Sequence, residues 1–184
     1  MAILENNGTQ LVIDYYQIYF ASNRWPELGY GIQFLYKGKN LLNDLTIETE
    51  HDDTCGFIEL IYKVLSTNKA DYWDCITEPG FILTIIPGND FPEIVHEKIN
   101  EFPPKANSNE YFTVIASVDS CCFGNLGSER GNGLSLYLIV TKEKLEQFVL
   151  DLEKEFKERW QEFINNNSFD GIYPIDNYGY WENK

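Results

Sequence analysis

Between Leu145 and Phe163 the apolar residues Leu145, Phe148, Val149, Leu152, Phe156, Trp160 and Phe163 recur at spacings of one, three and four, with Lys and Glu on many of the positions between. This stripe predicts a long amphipathic helix, and it dictates what the rest of the chain must supply: a broad apolar surface on which to bury it. Thr141 stands where an N-cap is needed. Glu153/Lys157 and Glu155/Arg159 are i,i+4 pairs in the favourable order, each contributing a few tenths of a kcal/mol. Asn165-Asn166-Asn167 is expected to stop the helix, because Asn tolerates left-handed backbone.

The surface comes from strands. Segments 10–20 and 30–36 are rich in β-branched and aromatic residues, and the loop between them contains Arg24-Trp25-Pro26-Glu27, so an antiparallel hairpin is expected. Lys37-Gly38-Lys39-Asn40 has turn chemistry. Leu45 and Ile47 alternate with polar neighbours, the pattern of a short edge strand. Phe57, Leu60, Ile61, Val64 and Leu65 then mark a second amphipathic helix, with Thr54 as its expected N-cap and Ser66-Thr67-Asn68 as its end. Strands follow at 71–77 and 81–86 around Glu78-Pro79-Gly80, and at 111–118 and 134–140 around a loop with four glycines. Segment 93–102 fits a short helix and an edge strand equally well. The expected fold is α+β: one domain over 1–184, a mostly antiparallel sheet with two amphipathic helices packed on one face. The aromatic tail over 165–184 is expected to pack back on the body.

Composition narrows the function. The 184 residues carry 14 Lys+Arg against 29 Asp+Glu, a formal charge of −15. Phosphate recognition runs on Lys and Arg, so no nucleic-acid partner is expected, and docking on an anionic membrane is equally disfavoured. No apolar run reaches the ~20 residues a membrane helix needs, and the N-terminus lacks a basic start followed by an apolar stretch. Cys55, Cys75, Cys121 and Cys122 lack C-x-x-C spacing. Reduced thiols in the cytoplasm are the expected state.

No motif names a reaction. The glycine-rich loop 119–133 offers Gly124, Gly127 and Arg130 as ligand-binding candidates, the basis of an alternative reading as a small-molecule-binding protein or enzyme. It matches neither G-x-G-x-x-G nor the Walker pattern, and a strand rather than a helix N-terminus follows it. Adjacent Cys121 and Cys122 with His51 and Cys55 reach a zinc set by count, but adjacent cysteines fit one tetrahedral ion poorly. No metal and no cofactor are expected. General bases are scarce, His51 and His96 being the only histidines, so a non-enzymatic role is expected.

The acids gather in two stretches. Asp44, Glu48, Glu50, Asp52 and Asp53 lie in a segment without Lys or Arg, and Asp71, Asp74 and Glu78 continue the excess beside Tyr72 and Trp73. Carboxylates steer basic partners, and exposed aromatics anchor interfaces, so these ten residues are the expected partner-binding set. Tyr72-Trp73-Asp74 before a Pro-Gly turn and a second strand, and Gly133-Leu-Ser-Leu-Tyr-Leu running into Thr141-Lys-Glu-Lys-Leu-Glu-Gln-Phe, form a pattern over 71–163. It resembles the immunity proteins of bacterial polymorphic toxin systems. The resemblance implies a stoichiometric inhibitor of a basic protein, such as a toxin nuclease, and transfers no individual residue.

Overall fold

A computed structural model describes residues 1–20, 26–42, 45–49, 55–75, 80–88, 109–119 and 133–168. In chain order they form β1 (Ala2–Asn6), β2 (Thr9–Phe20), β3 (Pro26–Tyr36), β4 (Lys39–Asn40), β5 (Leu45–Thr49), α1 (Gly56–Thr67), β6 (Asp71–Cys75), β7 (Phe81–Pro87), β8 (Tyr111–Asp119), β9 (Gly133–Thr141) and α2 (Lys142–Asn167). The strands make two antiparallel sheets. One has the order β1-β2-β3-β4, with β5 also paired to β3; the other has the order β6-β7-β8-β9. The expected α+β class, with two helices against antiparallel sheet, is what the chain adopts.

Alternation within the strands builds the core. Leu11, Ile13 and Tyr15 of β2, Tyr30, Ile32 and Phe34 of β3, and Phe81, Leu83 and Ile85 of β7 are buried on the helix side, as are Leu136, Leu138 and Val140 of β9. Residues two apart share a sheet face, so each run presents one apolar wall. The α2 stripe from Leu145 to Phe163 is buried against it. Phe57 of α1 stacks on Tyr15 with centroids 5.7 Å apart and meets Tyr30 and Trp73 edge-on, each at 5.4 Å. One core therefore serves both sheets and both helices. Tyr62 of α1 adds a polar tie, its hydroxyl donating to Glu153 Oε2 of α2 at 2.8 Å.

Strand β1 is a finding the sequence reading did not anticipate. Its hairpin with β2 turns at Asn7-Gly8, with φ of +51° and +76°. Positive φ at both central positions is the type I′ turn that matches strand twist, and Asn-Gly is its strongest short signal. β1 lies beside β9 of the other sheet, where Asn6 Nδ2 donates to the Ile139 carbonyl at 2.7 Å; from α2, Lys144 Nζ donates to the Glu5 carbonyl at 2.9 Å.

The helix ends differ from expectation in detail. Cys55, not Thr54, occupies the α1 N-cap and makes no side-chain cap bond; Thr54 lies outside the described residues. Asn68 closes α1 in the left-handed region, as its residue type allows. Thr141 caps α2 as expected, its Oγ1 accepting from the Lys144 N–H at 3.4 Å. The Asn triplet does not stop α2: the helix runs through Asn167, and Ser168 takes the left-handed position at φ +50°. Asn167 instead donates its side-chain amide to the Phe163 carbonyl, satisfying a group of the last turn. Glu153 and Lys157 pair at 2.8 Å. Glu155 and Arg159 do not: Arg159 Nε donates to the Tyr15 carbonyl at 2.8 Å and Nη1 to Glu162 at 3.0 Å, while Glu155 faces the Met1 ammonium. The tertiary acceptor on β2 outcompetes the local pair. Segment 93–102 and residues 169–184 lie outside the described residues.

Candidate partner-binding surface

Strand β6 carries four of the five described residues of the expected partner-binding set, Asp71, Tyr72, Trp73 and Asp74. It pairs Asp71 with Ile85, Tyr72 with Thr84, Trp73 with Leu83 and Asp74 with Ile82, and it stands at the end of its sheet. Period-2 alternation sorts its side chains. Trp73 turns to the helix side, partly buried, with its ring 5.4 Å from Phe57 and 6.3 Å from Phe81. The indole lies over Gly56, where an added Cβ would fall on its Nε1. Trp73 thus packs against the core and is only partly exposed.

Tyr72 and Asp74 point the other way. Tyr72 is 66% exposed, more than any other large hydrophobic residue described. Asp74 is exposed and makes no ion pair among the described residues. Around them the same sheet face offers Ile82, 38% exposed, from the neighbouring strand. An aromatic ring, an aliphatic side chain and an unneutralised carboxylate therefore share one surface.

Asp71 behaves differently from Asp74. Lys63 Nζ on α1 lies 2.5 Å from its Oδ2, and the Tyr72 backbone N–H donates to its Oδ1 at 2.9 Å. The lysine first, and the amide with it, hold the Asp71 carboxyl below the usual carboxylate range. The carboxylate is fixed where strand, helix and edge meet.

The remaining expected residues divide clearly. Glu48 lies on β5, which pairs with β3 as an edge strand of the other sheet. Asp44, Glu50, Asp52, Asp53 and Glu78 lie outside the described residues, as do Gly124, Gly127 and Arg130 of the alternative ligand loop and both histidines. β8 and β9, which flank that loop, do pair as an antiparallel hairpin.

Elsewhere, two titratable groups lie buried between β2 and α2. Tyr15 is fully buried beneath α2, and burial first, then the nearby Cys55, Tyr30 and Glu155, push its hydroxyl far above the ordinary range. It stays a neutral phenol and cannot serve as a base. Glu155 sits in the same region, its carboxyl raised to about 7 by burial and by its hydrogen bond with Asp14, against the pull of the Met1 ammonium. An open groove of about 530 Å³ runs along Leu150, Glu153, Lys154, Lys157, Glu158 and Gln161, all on α2. Within it Lys157 pairs with Glu153 along the helix face. Among the described residues no cluster of His, Cys, Asp or Glu is placed to hold a metal ion. No helix among them is long and apolar enough to cross a membrane.

No family model, no curated protein and no solved structure matches the chain.

Proposed function

We propose that this chain is a non-enzymatic binding protein, immunity-like, whose acidic surface captures a basic protein partner such as a toxin nuclease. The observation that carries the reading is the outer side of β6, where Tyr72 stands exposed beside Asp74 and Ile82 at the margin of a sheet. A formal charge of −15 supplies long-range attraction for a cationic partner, and an exposed tyrosine is a residue type that anchors interfaces. The pairing of steering charge with a small apolar contact is what fast, tight capture requires.

The test is kinetic. The immobilised full chain is used to recover its partner, and the association rate of the recovered protein is measured as salt is raised. Steered association falls by about tenfold or more from low to physiological salt, while dissociation changes little. Asp74→Lys slows association in low salt, and Tyr72→Ala speeds dissociation. An association rate indifferent to salt, or a partner as acidic as this chain, overturns the proposal.

A further inference from the structure

Among the described residues, the outer edge of β6 has hydrogen-bonding groups that no strand uses, and the ladder identifies them. In an antiparallel sheet, residues alternate between those that bond the neighbour and those whose N–H and C=O point away from it. The Gly88 N–H donates to the Tyr111 carbonyl at 2.7 Å, a bond that flanks the Pro87–Phe112 pair and makes that pair a non-hydrogen-bonded one. Ile82, Thr84 and Ile86 are then the β7 residues that bond β8, leaving Phe81, Leu83 and Ile85 to bond β6. Their partners are Cys75, Trp73 and Asp71. Tyr72 and Asp74 therefore turn their backbone groups outward. The Tyr72 N–H confirms this independently, since it donates to the Asp71 carboxylate.

Charge decides what fits there. A second copy paired on this edge would bring the Asp74 carboxylates of both copies to one face of the joined sheet, on a molecule already at −15. Like charges facing one another across a sheet are destabilising. An extended segment with Lys or Arg at alternate positions meets the opposite situation: its cations reach Asp74, and its main chain finds the outward groups of Tyr72 and Asp74. We propose that the basic partner docks by strand addition, laying an extended cationic segment along β6 as a fifth strand of that sheet. The inference rests on the acidic-partner reading above and adds the mode of docking. Asp71 tunes the edge: by occupying the Tyr72 N–H it removes one of the two free donors, one of the ways exposed edges are blunted against indiscriminate pairing.

Three short peptides titrated into the ¹⁵N-labelled full chain at low salt test it: one alternating Lys and Thr, one alternating Glu and Thr, and one alternating Lys and Pro. Proline has no N–H to give a ladder, so the third keeps the charge and loses the pairing. Strand addition predicts that the Lys/Thr peptide binds at least about tenfold more tightly than either other, a difference of about 1.4 kcal/mol. At saturation the Asp74 amide should exchange its hydrogen at least about tenfold more slowly. Equal binding of the Lys/Thr and Lys/Pro peptides overturns strand addition and leaves the acidic-partner reading standing. Binding by neither Lys peptide overturns both. Dimers of the protein alone with a protected Asp74 amide assign the edge to a second copy and overturn the cationic segment.

Discussion

β1 and β6 are both five-residue strands at the end of a sheet, each paired antiparallel to one neighbour, and they come to opposite ends. β1 buries Ala2 and Leu4 and spends its far side on the other sheet, through the Asn6 side chain and the Ile139 carbonyl. β6 half-buries Trp73 and spends its outward amide on its own Asp71. Length and pairing are the same; what differs is where the side-chain hydrogen bonds go. An edge sealed by a neighbouring sheet becomes part of the core, whereas one sealed by its own carboxylate remains a surface.

That contrast is broken or sharpened most strongly by truncation. Trp160 is fully buried, stacked on Phe156 at 6.1 Å and packed on Phe163 at 5.7 Å. Trp160→Ala is expected to destabilise the protein by about 3–5 kcal/mol in urea unfolding, whereas Tyr72→Ala on the outer side of β6 changes stability by less than about 0.5 kcal/mol. A comparable loss at Tyr72 would mean that β6 is no free surface.

Gly56→Ala probes the joint between α1 and β6. A methyl group there collides with the Trp73 indole, which Phe57 and Phe81 prevent from swinging aside. Overpacking of this kind is expected to cost about 1–3 kcal/mol, although Ala is the better helix former. Tryptophan fluorescence should shift in step with the lost stability. An unchanged or stabilised protein would show that β6 is held to the body by its ladder alone.

Asn6→Ala tests the sealed edge. It strips the Ile139 carbonyl of its side-chain donor between the sheets and is expected to cost about 1 kcal/mol. Asp74→Ala, on the open edge, is expected to cost nothing measurable by the same unfolding assay. If the two losses are equal, the distinction between sealed and open edges has no energetic content.

How much of this was legible in the sequence follows from the same contrast. The α2 stripe, the α1 stripe and the hairpin strands were legible because each repeats its period over many residues, and periodicity survives tertiary context. β1 escaped because a five-residue strand carries only Ala2, Ile3 and Leu4 as signal, although Asn7-Gly8 marked its turn. The different exposure of Tyr72 and Trp73 was not legible, because a sequence names residue types near a charge cluster but does not say which parity of a strand faces the helices. The neighbours settle it: Trp73 stands opposite Leu83, and Tyr72 opposite Thr84. The Glu155/Arg159 pair failed for a related reason, since a carbonyl on β2 is invisible to a local i,i+4 rule.

The smallest expected effect is a response to pH that runs in opposite senses at the two regions. Beneath β1, the Glu155 carboxyl is raised from its ordinary 4.5 to about 7, by burial first and then by its hydrogen bond with Asp14. A carboxyl whose folded pKa lies above the unfolded one favours the fold while protonated. Its contribution is complete below the ordinary pKa and is lost as pH rises through the folded value of about 7. At β6 the sign reverses. Lys63 and the Tyr72 amide hold Asp71 below its ordinary 3.8, so its contribution is present above that value and disappears as pH falls through the lowered one. Glu155→Gln is therefore expected to match the wild type near pH 4 and to exceed it near pH 8. The gain should be under about 1 kcal/mol, because Asp14 beside it is half exposed and water screens the pair. Asp71→Asn is expected to weaken the protein slightly near pH 7 and not at all in acid. Unfolding curves collected across this range decide the matter: if both variants depart from the wild type at the same end of the pH scale, the sealed and the open edge do not hold their carboxyls in opposite ways.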